Sequence, residues 1–153
     1  MWQAGSIWGS NWFFVGALLP WLVIGFFFAM KRHRLLDIFQ LGDETAISVG
    51  IAVKKERIVS LLLAVMLAAS AISVTGGINF LGLLAPHIAR KCGFTQQKQV
   101  LPLAALFGSL LLLVSDTIGR LLPGNGEMPA GIIVAIIGAP YFLYLLIKTS
   151  DSL

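Results

Sequence analysis

The stretch FFVGALLPWLVIGFFFAMKRHR, residues 13–34, decides the fold. Its first eighteen residues carry no charge, and they run directly into Lys31, Arg32, His33 and Arg34. An uncharged apolar run of this length is close to the roughly 20 residues that an α-helix needs to cross a bilayer. A basic cluster at its end is the stop at a membrane surface. Three more runs follow the same plan, at about residues 58–75, 100–122 and 129–147. A shorter one occupies residues 78–89 and carries Pro86, which suits a bent or half-buried helix whose freed backbone groups neighbouring helices cover. Gly76-Gly77, Gly93 and Pro123-Gly124-Asn125-Gly126 are the breaks between the runs.

The basic residues obey one rule. Lys31, Arg32, Arg34, Lys54, Lys55 and Arg57 flank one gap between runs. Arg90, Lys91 and Lys98 fill a second, and Lys148 follows the last run. The alternate gaps hold only Arg120. Cytoplasmic loops of membrane proteins carry this excess. The expected fold is therefore all-α, a polytopic membrane helix bundle of about five transmembrane helices in one domain, residues 1–153. Composition agrees, with 58% hydrophobic residues, 12% charged residues and a mean hydropathy of +0.89, against roughly 25% charged in a soluble domain. The net charge of +4 does not indicate nucleic acid, because the basic residues border apolar runs and form no basic stripe interleaved with aromatics. The single cysteine, Cys92, cannot form an internal disulfide and reads as a small residue at a helix end.

Five crossings with a cytoplasmic C-terminus near Lys148 place the N-terminus outside. Residues 1–12 contain no positive charge and no signal-peptide n-region. The chain is thus expected to be the C-terminal part of a longer protein, with residues 2–12 in an outer loop. Ala64 and Ala68, and Gly131, Ala135 and Ala139, are small residues at four-residue spacing, which lets helices in lipid approach closely.

One stretch in the large basic gap is not a span: LGDETAISVGI, residues 41–51. Asp43 is a good N-cap, and Glu44 adds charge at the positive end of the helix dipole. Gly50 suits the left-handed position after a helix. The helix between them, of about two turns, is too short to be stable alone. Ala46, Ile47 and Val49 give it an apolar surface that needs a partner, either this protein's own bundle, the membrane interface or a second, cytoplasmic protein.

Other polar residues are read locally. Asp116 and Arg120 stand one turn apart on the same helix face and can pair. Glu127, just before Pro129, suits the first turn of the last helix. Arg90, with Lys91 beside it, sits at a helix end, and His87 lies one turn deeper; neither belongs to a metal-ligating or Ser–His–Asp set. Ser73, Thr75, Asn79 and Ser115 are the polar residues available to line a path through the bundle. The chain has no GxxxxGK[ST] phosphate loop, and no enzymatic activity or cofactor is expected.

Five ordered stretches resemble the permease subunits of the ABC importers that take up iron–siderophore complexes, haem and vitamin B12. WQAGSIWGSNW is similar to that family's outer loop before its sixth span. LGDETAISVGI is similar to its cytoplasmic coupling segment. GGINFLGLLAPHIARKCG resembles the family's G-x-I-x-F-x-G-L-x-x-P-H-x-x-R. LPLAALFGSLLLLVSDTIGR resembles its P-x-x-A-L-x-G-x(6)-A-D-x-x-x-R, with Ser115 where Ala is usual. GEMPAGIIVAIIGAPYFLYLL resembles its E-x-P-x-G-x(6)-G-x-P-x-F-x-x-L-L.

The resemblance implies the C-terminal half of a ten-span permease in the cell membrane. Residues 41–52 would be the coupling segment, with Leu41, Gly42, Asp43, Glu44, Ala46 and Gly50 seated on an ATP-hydrolysing subunit. Arg120 would face an extracytoplasmic substrate-binding protein, with Asp116 able to orient it. A second permease subunit would complete the dimer, with membrane lipid around it. The GLLAPHIAR form is closer to siderophore members, which implies a ferric siderophore as substrate. Vitamin B12 or haem, or a non-transporting membrane scaffold, are the alternatives.

Overall fold

The computed structural model describes residues 12–121 and 129–150. Seven helices occupy them: α1 (Trp12–Lys31), α2 (His33–Gln40), α3 (Asp43–Ser48), α4 (Val53–Thr75), α5 (Leu81–Lys91), α6 (Gln97–Leu121) and α7 (Ala130–Ser150). The expected all-α bundle is thus observed. Of the expected outer loop over residues 2–12, Trp12 instead opens α1, and residues 2–11, the break at 123–126 and the Glu127 cap lie outside the described residues.

Helices α1, α4 and α6, at 20, 23 and 25 residues, are long and apolar enough to cross a membrane. The described side chains of α7 continue the apolar character over Ala130–Tyr144. Helix α5 has 11 residues, which at 1.5 Å per residue is about 16 Å and too short to cross alone. Residues 78–80, expected to be helical, are not. Helix α4 begins at Val53, before the expected start at residue 58, so Lys54, Lys55, Glu56 and Arg57 all belong to its first turns.

The surface is that of a membrane protein. Phe27, Phe28, Leu61, Leu62, Leu110 and Leu113 are all more than half exposed. Ser70, Ser73, Thr75, Ser109 and Thr117 each donate their hydroxyl to a carbonyl three or four residues back in their own helix. Such back-bonding satisfies a hydroxyl where no water is at hand.

Packing follows two sets of contacts. Helix α1 lies on α4, while α5, α6 and α7 pack together. Glycines set the closest approaches. A Cβ at Gly138 of α7 would stand 2.7 Å from Phe80 Cβ and 2.9 Å from Leu84 Cδ1. At Gly25 of α1 it would collide with the Leu67 side chain of α4. Gly131, in the expected row on α7, is buried, and Ala135 and Ala139 are half-buried. The row on α4 is corrected: Ala64 and Ala68 are exposed, because Leu63 and Leu67 take the side of α4 that meets α1.

Phe80 has φ +67°, the left-handed conformation that a bulky residue rarely adopts. It is the N-cap of α5. Its ring tilts against Phe142 of α7 at 6.4 Å, and its Cβ occupies the space that Gly138 leaves open. Packing on α7 thus holds a backbone geometry that the local sequence disfavours.

Candidate functional site

The basic ends of α1, α4, α5 and α6 gather at one end of the bundle, and two short helices sit there. Helix α2 was not anticipated from sequence. It is strongly amphipathic, ends at Gln40 with Leu41 as its C-cap, and is followed by Gly42 at φ +104°. Helix α3 follows at once and ends in a Schellman motif: the Gly50 N–H donates to Ile47 O at 2.9 Å and the Ile51 N–H to Ala46 O at 3.0 Å. Gly50 has φ +82°, the left-handed geometry expected of it. The two glycines of the LG…VG pattern therefore do the same work, each ending a short helix so that the chain can turn.

The expected cap is corrected. Gly42 is the N-cap of α3, with no side-chain capping bond, and Asp43 is its first helical residue. The Asp43 carboxylate instead accepts from Arg57 Nη2 of α4 at 2.6 Å. The same guanidinium lies over the Phe39 ring of α2, 5.9 Å from its centroid. One arginine thus holds α2 and α3 against α4.

Two further links complete this polar frame. Arg32 pairs with Glu56 at 2.9 Å, joining the α1–α2 junction to α4. Asp37 Oδ1 of α2 accepts the Gln97 N–H at the start of α6 at 2.7 Å. Sequence reasoning missed Asp37, Glu56 and Arg57, since partners 14 to 60 residues apart leave no local pattern. One signal was present. Arg57 lies in the first turns of a helix, where the dipole disfavours a cation, so an acidic partner from outside α4 was to be expected.

Helix α3 has two unlike faces. Ala46 is fully buried and Ile47 is 64% exposed, while the flanking Leu41, which caps α2, and Val49, which caps α3, are 70% and 65% exposed. The own-bundle partner accounts for Ala46 alone, and the other three form an apolar surface that nothing in the described chain covers.

At the far end of α6, Arg120 Nε donates to Asp116 Oδ2 at 2.8 Å, one turn apart as the spacing predicts. Gln97 and Arg120 stand at opposite ends of a 25-residue helix, about 35 Å apart at 1.5 Å per residue. The four path candidates are scattered. Ser73 and Thr75 lie in the last turn of α4, Ser73 exposed and Thr75 half-buried; Asn79 is exposed in the connection that follows, and Ser115 is buried in α6. His87 packs edge-on against Tyr141 at 5.8 Å, beside a cavity of about 140 Å³ shared with Phe80 and Gly138. Among the described residues no group of three or more His, Cys, Asp or Glu gathers to hold a metal. Cys92 is an exposed C-cap of α5.

Comparison with known proteins matches this arrangement. A model of the FecCD transport family covers residues 1–148. The chain belongs to the FecCD transport family. The iron(3+)-hydroxamate import system permease protein FhuG of Bacillus subtilis (strain 168) is 47% identical over 150 residues, covering 98% of this chain and 45% of the relative. The Fe(3+)-citrate import system permease protein YfmE of the same organism is 47% identical over 146 residues, covering 95% and 44%. A solved ABC transporter described as of metal-chelate type, in an inward-facing conformation, superposes with a TM-score of 0.87 at 27% identity, over 96% of this chain and 47% of that one. This FecCD chain thus spans about half the length of the relatives it matches, and it is a multi-pass membrane protein.

Proposed function

We propose that this chain forms part of a permease that imports a ferric chelate, driven by an ATP-hydrolysing partner subunit. The observation that carries the reading is the exposed apolar side chains of Ile47 and Val49, on a six-residue helix and its C-cap between two left-handed glycines, with exposed Leu41 just before the first of them. A helix this short has no stability of its own, so the frame around Arg57 holds it in place for something outside the chain. The basic residues around it put that end in the cytoplasm, which is where ATP is. The opposite end, with Arg120, then faces outward and receives the substrate-binding protein, while Asp116 orients the guanidinium.

The relatives handle hydroxamate-bound and citrate-bound iron, and GLLAPHIAR favours a siderophore over vitamin B12 or haem. Ser73, Thr75 and Asn79 lie towards the outward end of α4 and would meet the chelate on entry. Ser115 is buried between helices and would reach the path only through movement of α6. Removing the gene for this chain should abolish uptake of labelled ferric hydroxamate, with the plasmid-borne gene restoring it. Unchanged uptake of ferric hydroxamate, ferric citrate and haem in the deletion strain would contradict the proposal.

A further inference from the structure

The two short helices must move the membrane helices if a partner's ATP cycle is to be felt across the bilayer. Most of the polar frame leads to α4, through Asp43–Arg57 and Arg32–Glu56. Helix α6, which carries Arg120, is reached differently. Helix α2 packs on it, and among the described residues the polar link between them is the bond from the Gln97 N–H to Asp37 Oδ1, at 2.7 Å and half-buried.

Its chemistry suits a mechanical joint. Gln97 is the first residue of α6, and its N–H is one of the orphan donors at a helix start. A carboxylate there also meets the positive end of the helix dipole. A charge-assisted bond to a backbone N–H is strong for its kind. It also grips the helix itself, and not a side chain that could swivel. Val100, one turn on, is 2% exposed, so the first turn of α6 is anchored by a buried side chain. A displacement of α2 must therefore drag the start of α6, and a continuous helix carries that displacement to Asp116 and Arg120 about 35 Å away.

We propose that Asp37 is a positioning residue for transport, the joint through which movement of α2 and α3 reaches α6 and the binding-protein end; this rests on the coupling role proposed above. The test uses the assembled transporter in proteoliposomes, with three readouts: affinity for the ATP-hydrolysing subunit, basal ATP turnover, and turnover stimulated by the loaded binding protein. Asp37→Ala should leave the first two unchanged and lower stimulation by about tenfold, the scale of one charge-assisted hydrogen bond. Asp37→Asn keeps an acceptor oxygen and should restore most of the stimulation. Gln97→Pro removes the backbone donor while leaving Asp37 intact, at the first helical position where proline is well tolerated, and should reproduce Asp37→Ala. The double variant should be no worse than either alone.

Normal stimulation in Gln97→Pro or in Asp37→Ala would overturn the proposal. So would failure of both variants to insert, which would make the bond a structural cap and nothing more. A wild-type transporter that assembles with no ATP-hydrolysing subunit, or shows no stimulation, would instead defeat the underlying coupling role and leave its mark before any variant is made.

Discussion

Arg57 of α4 and Asp43 of α3, fourteen residues apart in sequence, face each other at 2.6 Å, with Arg57 also lying over Phe39. The pair fixes the orientation of α3 more than it stabilises the fold. The two side chains are 56% and 49% exposed, and exposed pairs are worth about 0.2–1 kcal/mol. Asp43→Ala should therefore barely change thermal stability in detergent yet weaken co-purification of the ATP-hydrolysing subunit. Exchanging the charges, Asp43→Arg with Arg57→Asp, should recover part of it. A large loss of stability with normal co-purification would show that the pair serves folding alone.

Gly50 sets where α3 stops. At φ +82° any residue with a Cβ is strained, by about 1–2 kcal/mol. Gly50→Val should insert normally, since Gly50 lies outside the membrane helices, and should lower transport together with substrate-driven ATP turnover. Unchanged turnover would remove the coupling role from this segment.

Much of the bundle was legible because lipid imposes simple rules. Apolar runs and flanking Lys and Arg located α1, α4, α6 and α7, since backbone satisfaction leaves helices as the economical solution. Gly50 was legible because its conformation is a property of the residue itself. The Asp116–Arg120 pair was legible because its partners are one turn apart. Helix α2 was not, because HRLLDIFQ is eight residues, too short to be helical alone without its packing against α3 and α6. Asp43 looked like a cap by local rule, but a cation fourteen residues on competes for its carboxylate. The Ala64–Ala68 spacing misled, because both are exposed and α1 meets the other side of α4, at Leu63 and Leu67. Phe80 could not be read at all, since α7 imposes its left-handed backbone through Gly138.

The two closest helix approaches should respond differently to one added methyl. At Gly138 the new group meets Phe80 Cβ, which the backbone fixes; at Gly25 it meets the Leu67 side chain, which can turn away. Gly138→Ala should cost about 1–3 kcal/mol and Gly25→Ala clearly less, read by thermal unfolding in detergent. Adding Phe80→Gly to Gly138→Ala should cost less than the two changes summed, because it removes both the clash and the left-handed side chain. A larger loss at Gly25 than at Gly138 would contradict this ordering.

Arg120→Glu places a second negative charge one turn from Asp116 and reverses the sign of the far end of α6. A like-charge pair at this spacing costs a few tenths of a kcal/mol, about 0.2–0.5, so the bundle should still insert. Affinity for the binding protein should fall, with the loss shrinking as salt rises. Normal affinity at both low and high salt would leave Arg120 with a role inside this chain and none in docking.

The central claim is that the exposed face of α3 is covered by an ATP-hydrolysing subunit. Ile47 is 64% exposed at the middle of that face, so a photo-crosslinking residue in its place reads the contact directly. Irradiation of the assembled, transport-active complex should give an adduct between this chain and the ATP-hydrolysing subunit, and the same residue in place of exposed Leu110, within membrane-spanning α6, should give none. An adduct with lipid or with another membrane segment from position 47, while the ATP-hydrolysing subunit is present and turning over, would contradict the account.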